Sequence, residues 1–86
     1  LLPLYYNLNK YKINKISIQY SKIVTIPKEI FEFKNLIILH LTHNKIKSIP
    51  KEINQLINLE ELDFNNNQFE LIPIEIYELF NLKILK

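Results

Sequence analysis

The chain has 86 residues with 11 lysines against 9 acidic residues, a formal net charge of +2, and it lacks arginine, cysteine, methionine and glycine. So balanced a charge, with no arginine to grip phosphate or read a base edge, argues against a nucleic-acid or anionic-membrane partner. The lack of cysteine rules out disulfides, thiolate nucleophiles and cysteine-ligated zinc.

Residues 1–12 read as a degenerate half-repeat or an edge cover. Leu2-Pro3 and Tyr6 echo Ile26-Pro27 and Ile30, but Pro3 to Ile13 is ten residues where Pro27 to Leu36 is nine, and Tyr5 stands where glutamate recurs. From Ile13 the chain repeats every 23 residues, in units 13–35, 36–58 and 59–81, with 82–86 beginning a fourth, all in one domain. Each unit opens on apolar columns: Ile13, Ile16 and Ile18, then Leu36, Leu39 and Leu41, then Leu59, Leu62 and Phe64, continued by Leu82 and Leu85. The step of two within this opening predicts a short strand with two side chains turned inward.

Ser21, Asn44 and Asn67 follow, where the chain turns away from the strand. A buried asparagine there can bond the backbone groups that the turn frees, and stacked copies can form a ladder. Ser21 is shorter, so the first unit is expected to be less well tied. With no glycine, asparagine is expected to take the turn positions that need positive φ. After Ile23, Ile46 and Phe69 comes Ile-Pro-x-Glu-Ile, the same in all three units (Ile26–Ile30, Ile49–Ile53, Ile72–Ile76). Proline suits the first position of a short helix or 3₁₀ segment, where its missing N–H loses nothing. The glutamate falls in the first turn, where the helix dipole favours it. Ile30 and Phe33, Ile53 and Leu56, and Ile76 and Leu79 share an inward face. Asn35, Asn58 and Asn81 close the units.

This pattern resembles the leucine-rich repeat family, and its Ile-Pro-x-Glu-Ile half resembles the 23-residue intracellular, Ras-group class, over residues 13–86. The resemblance implies an α/β fold: a right-handed superhelical solenoid with short parallel strands on its concave side and short helices or 3₁₀ segments on its convex side. It also implies binding of a protein partner on the concave face. No unit can close a core alone, so stability is expected to come from stacking.

The candidate partner-binding residues alternate with the core leucines along the strands. They are Lys15, Ser17, Gln19 and Tyr20, then Ile38, His40, Thr42 and His43, then Glu61, Asp63, Asn65 and Asn66, with Ile84 and Lys86 continuing the rows. They vary while the framework does not, as a recognition surface on a fixed scaffold does, and as unconstrained solvated surface also does. Tyr20, Ile38 and His40 are the best anchors, and the charge runs from Lys15 to Glu61 and Asp63.

His40 and His43 do not clearly face together and supply fewer than the three or four ligands zinc needs, so no metal or other cofactor is expected. Glu60, Glu61 and Asp63 lie on an open sheet, without the cleft that carboxylate catalysis requires. With no phosphate loop or triad either, neither catalysis nor a small-molecule substrate is expected. Phe31, Tyr77 and Phe80 fall on or beside the helical side, where packing or neighbour contact is expected. The longest aliphatic run, Leu36–Leu39, is too short to span a membrane, and the start has no basic leader segment. The expected compartment is the cytoplasm. Both ends fall inside the repeat, so the reading is a protein-binding module of a longer protein. Its alternative is the regulatory or targeting segment of a signalling enzyme whose catalytic domain lies elsewhere.

Overall fold

The computed structural model describes residues 10–86. Strand β1 (Lys15–Ser17) is followed by 3₁₀ helix η1 (Lys28–Glu32), β2 (Ile38–His40), η2 (Lys51–Gln55), β3 (Glu61–Asp63), η3 (Ile74–Glu78) and β4 (Ile84–Leu85). The strands form one parallel sheet in the order β1-β2-β3-β4. Its register follows the repeat: Lys15 pairs with Ile38, Ile38 with Glu61 and Glu61 with Ile84. Each coil is strand, turn, 3₁₀ helix and return, so like residues stack on like. Of the half-repeat expected over 1–12, residues 1–9 lie outside the described residues.

The inward columns make one core. Leu36, Leu39, Leu41, Ile46, Ile53, Leu56, Leu59 and Leu62 are fully buried, while Ile13, Ile16, Ile18 and Ile23 of the first coil only pack against that cluster. In the third coil two aliphatic columns turn aromatic, and Phe64 and Phe69 meet edge to face with centroids 4.9 Å apart.

The helical segments are all 3₁₀. Ile30 N–H donates to Pro27 O, and Phe33 N–H donates to Ile30 O, each at 3.1 Å, and the other two coils repeat both bonds. Three residues per turn set Ile30 directly beneath Phe33, so both reach the core from a five-residue helix. Proline stands one place earlier than the sequence predicts, at the N-cap and not the first helical position. Its ψ of 129 to 156° is extended, and its carbonyl accepts the first turn's bond. A residue with no N–H suits either place, and here the fixed φ serves the approach to the helix. Glu29, Glu52 and Glu75 occupy the first turns as expected.

Two asparagine ladders tie the coils together. Asn44 Nδ2 donates to the carbonyls of Ile18 (2.8 Å), Leu41 (3.0 Å) and Thr42 (3.2 Å), and Oδ1 accepts from Ser21 N–H at 3.0 Å. Asn67 repeats this one coil later, with Leu41, Phe64 and Asn65 carbonyls and the Ile46 N–H. Ser21 Oγ reaches only the local Gln19 carbonyl, at 3.1 Å. The second ladder gives the closing asparagines a role that their recurrence alone does not reveal. Asn35, Asn58 and Asn81 donate to the carbonyls of Tyr11, Lys34 and Ile57, each in the preceding coil.

Positive φ falls on Tyr20, Lys22, His43 and Asn66, so asparagine takes only one of the four such positions. The shared column of Tyr20, His43 and Asn66 is compensated by contact: the Tyr20 and His43 rings stack 4.3 Å apart, and the Asn66 amide lies 3.3 Å from His43 Nε2. Only the first coil needs a second left-handed residue, Lys22, and it is the coil in which serine replaces the bridging asparagine. A left-handed residue with a Cβ costs about 1–2 kcal/mol, and glycine's extra freedom when unfolded returns roughly half of that. Lys22→Gly is therefore expected to raise stability in urea denaturation by about 0.5–1 kcal/mol. Tyr20→Gly, which also loses the ring stack, gains nothing. Equal gains at the two positions would show that the stack contributes little.

Candidate partner-binding face

The strands are only two or three residues long, yet the ladder continues past them. Ile18 N–H donates to His40 O at 2.9 Å, Leu41 N–H to Asp63 O at 2.7 Å and His43 N–H to Asn65 O at 3.1 Å. This continuation carries the outward residues in four rows across the sheet: Lys15, Ile38 and Glu61; Ser17, His40 and Asp63; Gln19, Thr42 and Asn65; Tyr20, His43 and Asn66.

The structure brings neighbouring candidates into contact. His40 Nε2 pairs with Glu61 Oε2 diagonally across β2 and β3, and both side chains are three-quarters buried. Gln19 joins two rows: its Nε2 donates to Ser17 Oγ at 2.6 Å, and its Oε1 accepts from Thr42 Oγ1 at 2.7 Å. Asp63 Oδ1 accepts from Asn65 N–H at 3.1 Å. Lys15, Ser17, Gln19, Tyr20, His43, Asn65 and Asn66 are exposed, Ile38, His40, Glu61 and Asp63 are half-buried, and Thr42 is buried. Thr42 thus reaches a partner only through Gln19. The two histidines part company, His40 to Glu61 and His43 to Tyr20.

Elsewhere lie two features that alternation along a strand does not point to. A cavity of about 390 Å³ opens between η1 and η2, floored by Ile26 and Phe31 and edged by Pro50, Lys28 and Glu52. Phe31, expected on the helical side, is buried there, whereas Tyr77 and Phe80 are exposed. A polar groove follows the strand entrances along Asn35, Asn58 and Asn81, bounded by Lys12 and Glu60. The recurrence of those asparagines is the signal that could have located it. Glu60 also pairs with Lys83 at 3.1 Å, an exposed bridge of small energetic weight. Among the described residues, no helix is long and apolar enough to cross a membrane.

A stacked parallel sheet with one 3₁₀ helix per coil is the architecture of a leucine-rich repeat solenoid. The family model described as leucine rich repeat matches residues 12–69, and the chain belongs to that family. A solved leucine-rich repeat protein of Leptospira interrogans is similar over 100% of this chain, at 35% identity and a TM-score of 0.88. This chain spans 21% of that protein's length. No curated protein matches the chain.

Proposed function

We propose that the concave sheet face binds a protein partner, with Tyr20, Ile38 and His40 as its anchors and Lys15, Glu61 and Asp63 as its charged frame. Leucine-rich repeat domains generally bind proteins, which sets the class of partner. The observation that carries the reading is the contrast between columns. Framework positions hold one residue type from coil to coil, while the four outward rows change in every coil. Contacts such as His40 with Glu61 and Tyr20 with His43 hold those variable side chains in place before any partner arrives. Groups already ordered lose less entropy on binding.

The frame runs from basic at Lys15 to acidic at Glu61 and Asp63, so it favours a partner of opposed polarity whose association weakens with salt. The test is a triple replacement, Tyr20→Ala, His40→Ala and Asp63→Ala. Its circular dichroism and urea midpoint are compared with the parent's, and each protein is used as bait in lysate of the source cells. A protein retained by the parent at low salt and lost by the folded triple variant is the expected result. Equal retention by both baits would sink the reading.

A further inference from the structure

A helix with three residues per turn has three faces. In η1, η2 and η3 one face enters the core. The second is acidic at its start each time, and in η3 it carries Glu75 and Glu78. The third face changes along the solenoid. It reads Lys28, Phe31 and then Lys34 in the first coil, Lys51, Asn54 and then Ile57 in the second, and Ile74, Tyr77 and then Phe80 in the third. The residue before the Ile-Pro step changes likewise, from Thr25 and Ser48 to Leu71.

Exposure at the third coil has two origins, and the repeat separates them. Ile72 stands in a column that stacking buries, since Ile26 and Ile49 are buried in the coils before it. Tyr77 follows a buried Phe31 and a half-buried Asn54. Leu71, Ile74 and Phe80 are different. Thr25 and Ser48, Lys28 and Lys51, and Ile57 are all exposed although another coil is stacked beyond them. Stacking leaves these positions facing water, and the third coil fills them with leucine, isoleucine and phenylalanine that are 78%, 73% and 88% exposed.

The charge around them is of one sign. Every charged residue between Lys51 and Lys83 is acidic, with Glu70 beside Leu71 and Glu75 and Glu78 on the adjoining face of η3. An apolar cluster with a polar rim is the usual mark of an interaction site. An acidic rim opposes an anionic membrane surface, and it opposes pairing of the patch with its own copy, which would set glutamate against glutamate. We propose that Leu71, Ile74 and Phe80 form a second docking surface, on the helical side, for a basic amphipathic polypeptide segment whose apolar anchors are flanked by lysine or arginine.

The solenoid supplies the control variant. Leu71→Ser, Ile74→Lys and Phe80→Lys install residues that Ser48, Lys51 and Lys34 already place at these repeat positions, so the fold is kept. A neutral variant, Leu71→Ser, Ile74→Gln and Phe80→Gln, removes the apolar groups without adding charge. The probes are a labelled synthetic peptide with leucine and phenylalanine at helical spacing flanked by lysines, and a twin with glutamates for the lysines. The lysine peptide is expected to bind the parent chain, less tightly as salt rises, and to lose about tenfold or more in affinity for both variants. The concave triple variant binds it as the parent does. The proposal is overturned if the glutamate twin binds equally, or if both patch variants keep the affinity. It is equally overturned if the parent binds phosphatidylserine vesicles in preference to the peptide, or if sedimentation shows a dimer that the patch variants abolish.

Discussion

Asn44→Ala is expected to cost the chain about 3 kcal/mol or more of stability, because it leaves several buried backbone groups without a partner at once. Asn44 is itself buried, and its amide serves the Ile18, Leu41 and Thr42 carbonyls and the Ser21 N–H. Each unsatisfied buried polar group costs about 1–3 kcal/mol, and the carbonyls can recover part of it from water admitted by the smaller side chain. Asn44→Asp separates the two halves of the role. A carboxylate can still accept from Ser21 N–H, but it offers no donor and sets its charge against three carbonyl oxygens, so it should be at least as damaging as alanine. Asn67 has the same partners in kind but is only half-buried. Its alanine variant should lose clearly less. Urea denaturation followed by circular dichroism measures all three. If Asn44→Ala unfolds within about 1 kcal/mol of the parent, water has replaced the side chain and the ladder is not what ties these coils.

The core is legible in the repeat itself, because a column of Leu39 and Leu62 or of Ile30, Ile53 and Ile76 records the same packing problem solved in successive coils. The ladder at Asn44 and Asn67 is legible for the same reason, as is the weaker tie at Ser21. Proline's offset is not, since the missing N–H is equally harmless at the N-cap and one residue later. The left-handed residues are hidden because glycine, the usual marker, is absent and stacking compensates Tyr20 and His43 instead. Strict alternation puts Thr42 in the outward row, but β2 ends at His40. Beyond a strand's end the period of two no longer holds, and Thr42 turns under Gln19. The diagonal pair of His40 and Glu61 is a matter of side-chain torsion, which register does not determine. Sequence therefore locates the rows of the candidate face, and the structure shows which members bond to one another.

Truncating one column residue by residue should produce opposite extremes from the same chemical change. Leu39 and Leu85 occupy the same repeat position in β2 and β4, with Leu62 between them. Leu39 is 0% exposed, Leu62 1% and Leu85 48%. Leu39→Ala removes a side chain enclosed by coils on both sides, and a cavity that cannot collapse costs about 3–5 kcal/mol. Leu62→Ala should fall in the same range. Leu85→Ala creates no enclosed cavity and should cost about 1 kcal/mol or less. Stability in a solenoid is a sum over neighbouring coils, so the loss at Leu39 is felt in the coupling of β1 to β3 through β2. The outward residues of β2, Ile38 and His40, ride on the same strand. Leu39→Ala should therefore weaken any partner held on the concave face without touching it, whereas Leu85→Ala should leave that face intact. Urea midpoints give the energies, and hydrogen exchange of the His40 and Leu41 amides reports the loosening of β2. A Leu85→Ala loss as large as that at Leu39 would mean that β4 is covered in solution.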